Sequence, residues 1–260
     1  MRSRIVFSMY RSLDTILKMI LALCTHPFSE HDLSNVIDTH FTRYCKSPFV
    51  EPQIKTLTIH LLKALAFLHS RHMIHRDIKL SNLLYTDQGF LKLADFGLSR
   101  PYADAFQSQL TPQVASLWYR PPELLLGGTT YTTSIDMWGV ACIMGELFTG
   151  EPLMRGQTEL EQIMEIVDCV GLPDPDLVSS FPLIRSGKVR LPQKSRRTLL
   201  DVLGDRLSRS GLQLVHNLLK CNPKERWTAA ESLRSSYLVD ELPLATPTAR
   251  MPRFPPSFRN

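Results

Sequence analysis

Apolar positions recur at helical spacing along most of the chain, and only a short central region drops to a period of two. Across residues 51–69, Ile54, Leu57, Leu61, Leu65 and Leu68 line one helical face, and Pro52 falls where the first turn tolerates a missing N–H. This pattern predicts a long, mostly buried helix. Over 73–98 the apolar pieces shorten to 81–85 and 90–94, separated by the turn-forming Thr86-Asp87-Gln88-Gly89, which predicts a small hairpin. A loop punctuated by glycine and proline follows over 97–122. Helical spacing returns over Ser134–Thr149, Glu159–Val170 and 211–219, each preceded by a residue suited to capping. The second half therefore reads as an α-helical bundle with an irregular, proline- and base-rich insertion over 172–205. The tail beyond Leu242 holds five prolines and no apolar period, so it is expected to be loosely docked or disordered. No internal repeat is found.

Composition narrows the class without naming it. With 260 residues, 43% hydrophobic and 21% charged, the chain is long enough for one large core. The net charge of +5 comes from thirty basic residues scattered among twenty-five acidic ones, too diffuse a pattern to mark a nucleic-acid surface. Cys24, Cys45, Cys142, Cys169 and Cys221 are odd in number and contain no Cys-x-x-Cys pair, which argues against a disulfide framework and a zinc site and suggests a reducing compartment. Arg2 and Arg4 precede an apolar run over 16–24, but Lys18 interrupts it and Asp14 flanks it, so a buried strand or helix is expected there rather than a secretory signal. No later segment has the length and hydrophobicity of a bilayer span, and no membrane partner is expected.

The chemistry concentrates in two motifs. His75-Arg76-Asp77-Ile78-Lys79-Leu80-Ser81-Asn82 places an acid, a base and an amide between the long helix and the hairpin, and Asp95-Phe96-Gly97 begins thirteen residues after Asn82. A hairpin of this length folds Asp95 back beside Asn82, where the two can share a divalent cation, with Asp77 expected to face away. In this order and spacing the motifs resemble the catalytic and metal-binding loops of protein kinases. That resemblance implies an α+β, protein-kinase-like fold, mainly the α-helical C-terminal lobe, and the cofactors ATP and Mg²⁺. Asp77 would orient the substrate hydroxyl, Lys79 would neutralise charge on the transferred phosphoryl group, and Asn82 and Asp95 would hold Mg²⁺. His75 and Phe96 resemble the family's packing residues.

Other segments extend the likeness. Trp118-Tyr119-Arg120-Pro121-Pro122-Glu123 is similar to the end of a kinase activation segment, with Pro121 in place of the usual alanine; Glu123 would pair with Arg226, and Asp136 would accept backbone hydrogen bonds from the catalytic loop. The run 110–120 resembles the activation loop of cyclin-dependent kinases. By that resemblance Thr111 is the activating phosphorylation site, Arg76 and Arg100 receive its phosphate, and Ser116 and Arg120 belong to a substrate pocket that prefers proline after the phosphorylated Ser or Thr. The segment Arg250-Met251-Pro252-Arg253-Phe254-Pro255 is similar to tails in the branch of cyclin-dependent kinases ten and eleven. Lys188, Arg190, Lys194, Arg196 and Arg197 would dock an acidic partner, act as a nuclear address, or form a plain solvated loop.

The likeness thins toward the N-terminus. It begins around Arg11-Ser12-Leu13-Asp14 and becomes firm at 28–33, which resembles the hinge between kinase lobes, with Asp32 near the ATP ribose and Leu84 under the adenine. Residues 1–28 read as a divergent remnant of the ATP-binding lobe, 29–240 as hinge and catalytic lobe, and 241–260 as the tail. The first glycine is Gly89, so no glycine-rich phosphate cover precedes Asp77, and no lysine sits in a Val-Ala-Ile-Lys-like strand. Two expectations follow: a serine/threonine kinase acting on protein substrates with a possible cyclin partner, or a catalytically impaired kinase lobe that serves as a binding scaffold. A metal-dependent hydrolase built on Asp77 and Asp95 would leave the activation-segment motifs unexplained.

Overall fold

The structure, a computed structural model, describes residues 30–101, 115–129, 131–171, 173–191 and 197–255. It opens with strand β1 (Glu30–Asp32), which turns directly into helix α1 (Leu33–Tyr44). Asp32 caps that helix: its carboxylate accepts from the Ser34 amide at 2.8 Å and the Asn35 amide at 3.4 Å, satisfying two donors that a helix start leaves open. Helix α2 (Glu51–Ser70) then buries Ile54, Leu57, Leu61, Leu65 and Leu68 on the face its periodicity predicts, with Pro52 in its first turn.

Next come strand β2 (Met73–Ile74), hairpin strands β3 (Leu83–Thr86) and β4 (Leu91–Leu93), and strand β5 (Arg100–Pro101). β1 joins the hairpin on the free side of β3, giving an antiparallel sheet of order β1-β3-β4 in which Asp32 faces Leu84 and His31 faces Tyr85. β2 and β5 pair separately.

The short helix α3 (Pro122–Leu125) precedes α4 (Ser134–Thr149), the centre of the molecule. Every residue of α4 from Ser134 to Phe148 is buried, as befits a helix that is apolar on all sides. Its Gly139 permits the approach of the chain at Ile78: a Cβ there would stand 2.8 Å from the Ile78 Cβ and 2.9 Å from the Ile78 carbonyl oxygen. Helix α5 (Glu159–Val170) follows, capped by Thr158.

The expected irregular insertion is corrected by three short helices: α6 (Pro175–Ser180), α7 (Pro182–Arg185) and α8 (Leu199–Leu203). Pro175 and Pro182 start helices, since proline fits a first turn, and Asp174 and Thr198 supply side-chain caps. Helix α9 (Arg209–Leu218) starts two residues before the expected 211 because the Ser208 hydroxyl caps it, accepting from the Gly211 amide at 3.1 Å. Helices α10 (Ala229–Ser232) and α11 (Ser236–Val239) complete the bundle. α4 packs against α2, α8 and α9.

The loosely docked tail is a second correction. Met251 is buried, and Lys55, Thr56 and Tyr85 donate hydrogen bonds to backbone carbonyls of the tail. Proline-rich chain is well suited to such docking, because carbonyl acceptors do not depend on apolar periodicity.

The apolar run over 16–24 and the residues of 11–14 and 28 lie outside the described residues, as do Lys194 and Arg196 of the basic cluster. Arg197 of that cluster pairs with Glu165 at 2.6 Å. Among the described residues, Cys45, Cys142, Cys169 and Cys221 are free thiols, and no helix is long and apolar enough to cross a membrane.

Candidate active site

The site forms where the loop 75–82 crosses the N-terminal end of α4. Asp136, in the first turn of α4 and buried, accepts from the His75 and Arg76 amides, each at 2.9 Å, and from His69 Nε2 at 2.8 Å. Burial alone would raise its carboxyl pKa, but the His69 hydrogen bond and charge, with the contacts from His75, hold it below the ordinary range. These amide bonds pin Arg76 in the left-handed region at φ 72°, a conformation unfavourable for a residue with a Cβ. The Arg76 side chain is buried as well, donating to the Leu98 carbonyl and to the Tyr131 hydroxyl at 2.9 Å.

That loop delivers Asp77 with only 5% of its surface exposed. Lys79 Nζ lies 2.8 Å from its Oδ2, and Asn82 Nδ2 donates to the same oxygen at 2.9 Å and to the Asp77 carbonyl at 2.7 Å. Asp77 therefore does not face away from Asn82. Spacing along the chain carries no information about side-chain direction, and the 3₁₀ turn Leu80–Asn82 swings the amide back onto the carboxylate. From the other side, the Ser116 amide and hydroxyl reach Asp77 Oδ1 at 3.2 and 3.3 Å. Burial pushes the Asp77 pKa up, but the hydrogen bonds from Lys79 and Asn82 outweigh it and keep the group below the usual carboxylate range.

With its nitrogen committed to Asp77, Asn82 has Oδ1 left to offer. Its backbone carbonyl accepts from the Ala94 amide at 2.8 Å, which brings the next residue, Asp95, to the same end of the hairpin. Asp95 is exposed and sits at φ 57°, with Oδ1 accepting from the Gly97 amide at 3.2 Å. Behind it, His75 Nε2 lies 3.0 Å from the Ala94 carbonyl, and its ring meets Phe96 edge-on at 5.0 Å. Burial lowers the His75 pKa, so the ring is neutral, with Nε2–H as donor and Nδ1 facing the Asp77 amide at 3.4 Å.

The chain after Ala115 closes the other wall. Ala115 adopts φ 65°, and its carbonyl accepts from Arg120 Nε at 3.3 Å and Nη2 at 3.1 Å, while Arg120 Nη1 pairs with Glu159 at 2.7 Å. Arg226 grips Glu123 with two hydrogen bonds of 2.8 and 3.0 Å and also donates to the Ser134 carbonyl at 2.8 Å, tying α3 to the start of α4. Tyr119 donates to Glu146 at 2.5 Å, and burial pushes the Glu146 pKa up to about 7.

A cleft of about 510 Å³ is lined by Ser34, Asp38, Lys79, Ser116, Trp118 and Glu146 among others, and of these Lys79 and Ser116 contact the Asp77 carboxylate. A larger cavity of about 900 Å³ lies elsewhere, between Thr129, Asp174, Phe181, His216, Lys220 and Lys224. The chemistry decides for the smaller one, since it touches Lys79 and Ser116.

Of the remaining sequence-derived residues, Asp32 and Leu84 stand opposite each other on β1 and β3, both half-buried, while the neighbouring pair His31 and Tyr85 is fully buried on the other face. Arg100 is exposed and pairs with Ile74, two residues before Arg76. Thr111 lies outside the described residues. Sequence reasoning missed Ala115, His69, Tyr131 and the Tyr119–Glu146 pair. Alanine carries no preference for positive φ, so nothing in the sequence marked Ala115; His69 at the end of α2 was the one readable signal, as a polar residue following the apolar stripe.

Comparison with known proteins agrees with this architecture. A family profile described as "Protein kinase domain" matches residues 3–238. Cyclin-dependent kinase 10 of Homo sapiens is 43% identical over 231 residues, covering 88% of this chain and 61% of that protein. Probable cyclin-dependent kinase 10 of Dictyostelium discoideum is 37% identical over 242 residues, covering 90% and 63%, and cyclin-dependent kinase G-1 of Oryza sativa subsp. indica is 37% identical, covering 88% and 33%. The crystal structure of the yeast RNA Pol II CTD kinase CTDK-1 complex contains a chain that superposes with a TM-score of 0.76 at 34% identity, covering 85% of this chain and 72% of that one. The chain belongs to the protein kinase family. Within it, the similarity is to cyclin-dependent kinases, on the branch of cyclin-dependent kinase 10, and the chain spans about 61% of the length of the human relative.

Proposed function

We propose that this lobe transfers the γ-phosphoryl group of ATP to Ser or Thr hydroxyls of protein substrates, with preference for a following proline. The observation that carries the reading is the Asp77 carboxylate, ionised and fixed between Lys79, Asn82 and Ser116, of which Lys79 and Ser116 line a cleft. Phosphoryl transfer asks the protein mainly for position and charge. Asp77 accepts a hydrogen bond from the incoming hydroxyl and aims its oxygen along the line of attack. Lys79, 2.8 Å from that carboxylate, is placed to neutralise charge on the transferred group. The donor set fits Mg²⁺: the Asn82 Oδ1 and the Asp95 carboxylate are hard oxygen ligands at one end of the hairpin, and a bound cation supplies charge neutralisation to the phosphates. Asp32 and Leu84 would face ribose and adenine.

The proline preference follows from Ala115. Arg120 occupies its carbonyl, so a substrate residue carrying an N–H at that point would lose water without gaining an acceptor, whereas proline has no N–H to leave unsatisfied. Phosphorylation of Thr111, read by Arg76 and Arg100, and a cyclin partner complete the proposal, with action in nucleus or cytoplasm.

The test is a pair of peptides differing only in Ser-Pro against Ser-Ala. Phosphorylation of the first at roughly tenfold or greater preference, abolished by Asp77→Asn, is the expected result, an unpaired amide costing about 1–3 kcal/mol. Equal use of both peptides would refute the role of Ala115.

A further inference from the structure

The tail motif that marks the branch has no part in the chemistry above, yet it is among the most heavily tethered segments of the fold. Residues 241–254 run back along α2 toward the sheet. At the start, Lys55 is fully buried and donates to the carbonyls of Glu241 at 3.0 Å and Pro243 at 2.9 Å, with its ammonium 4.2 Å from the centre of the Tyr237 ring. A buried ammonium is costly unless hydrogen-bonded, and two of its acceptors belong to the tail. Further on, the Thr246 amide donates to the Pro52 carbonyl at 2.9 Å, and the Thr56 hydroxyl donates to the Thr246 carbonyl at 2.6 Å. The turn Thr248–Arg250 then abuts the hairpin so closely that a Cβ on Gly89 would stand 2.5 Å from the Thr248 carbonyl oxygen.

The end of the tail reaches the sheet itself. Tyr85 donates to the Pro252 carbonyl at 2.6 Å. Phe254 meets Tyr85 at 5.5 Å, Phe49 at 5.6 Å and His31 at 6.1 Å, all edge-on. His31 and Tyr85 are a cross-strand pair, and the next pair along the same strands is Asp32 and Leu84, whose side chains point to the opposite face. Among the described residues β1 pairs with β3, and Phe254 touches a ring on each of the two strands.

We infer that residues 241–254 form a strap whose terminal aromatic, Phe254, is a positioning residue for nucleotide. By bracing the backs of β1 and β3, it fixes Asp32 and Leu84 on their front. The inference rests on the proposed reading of those two residues as the ribose and adenine contacts.

The test uses the full chain, a fluorescent ATP analogue with Mg²⁺, and hydrogen exchange of backbone amides, in wild type, Phe254→Ala, Phe254→Leu and Asp32→Ala. Phe254→Ala should weaken analogue binding about tenfold and raise KM for ATP while leaving kcat within about twofold, since Asp32 and Leu84 would face ribose and adenine, groups bound alike in ground and transition states, and not the transferred phosphoryl group. Its exchange should quicken at 30–32 and 83–86 but not at 75–82, and Phe254→Leu should recover part of both effects. If Asp32→Ala weakens binding and Phe254→Ala does not, the strap inference is overturned. If Asp32→Ala has no effect, or wild type binds no analogue, the nucleotide reading fails, and the exchange data decide the strap alone: unchanged exchange at 30–32 and 83–86 in Phe254→Ala overturns it.

Discussion

Arg76, Asp95 and Ala115 adopt φ of 72°, 57° and 65°, and each stands beside the Asp77 carboxylate, the hairpin end or the wall that Ser116 completes. Such conformations persist where neighbours over-determine them, and here the neighbours are Asp136 for Arg76 and Arg120 for Ala115. Gly139 belongs to the same arrangement. In Gly139→Ala the added methyl meets the Ile78 Cβ and carbonyl at under 3 Å, so the loop must shift. Overpacking of this kind costs about 1–3 kcal/mol, and the expected outcome is a lowered melting temperature together with a larger loss in kcat than in KM. Glu146 is buried and accepts a hydrogen bond from the Tyr119 hydroxyl. Its pKa in the fold is about 7, raised by burial from 4.5, so the neutral form is the one the fold prefers. Its contribution is fully present below pH 4.5 and is lost as pH rises through 7. Glu146→Gln should flatten that part of the stability profile, with a smaller fall in melting temperature between pH 5 and 8 than wild type shows, as read by thermal denaturation across buffers of matched ionic strength.

At the scale of elements, α4 is held to α3 by Arg226, which bonds both Glu123 and the Ser134 carbonyl, and to the loop 75–82 by Asp136. Arg226→Ala leaves Glu123 buried without its partner and deprives the Ser134 and Lys220 carbonyls of donors, so a loss of about 3–5 kcal/mol is expected in chemical denaturation. Replacing both partners by apolar residues should recover part of it. The helices Ser134–Thr149 and Glu159–Val170 and the hairpin turn at Gly89 were legible in the sequence, because apolar period, caps and turn residues agree there. The insertion over 172–205 read as irregular because it is rich in proline, but the position of Pro175 and Pro182 relative to Asp174 and Phe181, not their presence, makes them helix starts. The tail was misread for a related reason. Its anchors are the side chains of Lys55, Thr56 and Tyr85, far away in sequence, acting on carbonyls that every residue possesses.

For the whole molecule, fold class and family were readable from two motifs whose spacing the chemistry restricts, whereas the packing of the site was not. The sequence placed Asp77, Asn82 and Asp95 in one region, but only the fold shows Asn82 donating to Asp77 and Ser116 closing the carboxylate from the far side. In the proposed function Asp77 orients the nucleophile and Asn82 and Asp95 hold the cation, all on one lobe, which is the positioning that phosphoryl transfer asks of a kinase. The most direct measurement is transfer of label from the γ-phosphate of ATP to a serine peptide by protein purified from its own cells, compared with Asp77→Asn and Asp95→Asn forms expressed there. Magnesium-dependent transfer by wild type, lowered by about 10² or more in each variant, is the predicted result. Transfer that survives both substitutions, or none from any form, would contradict the account.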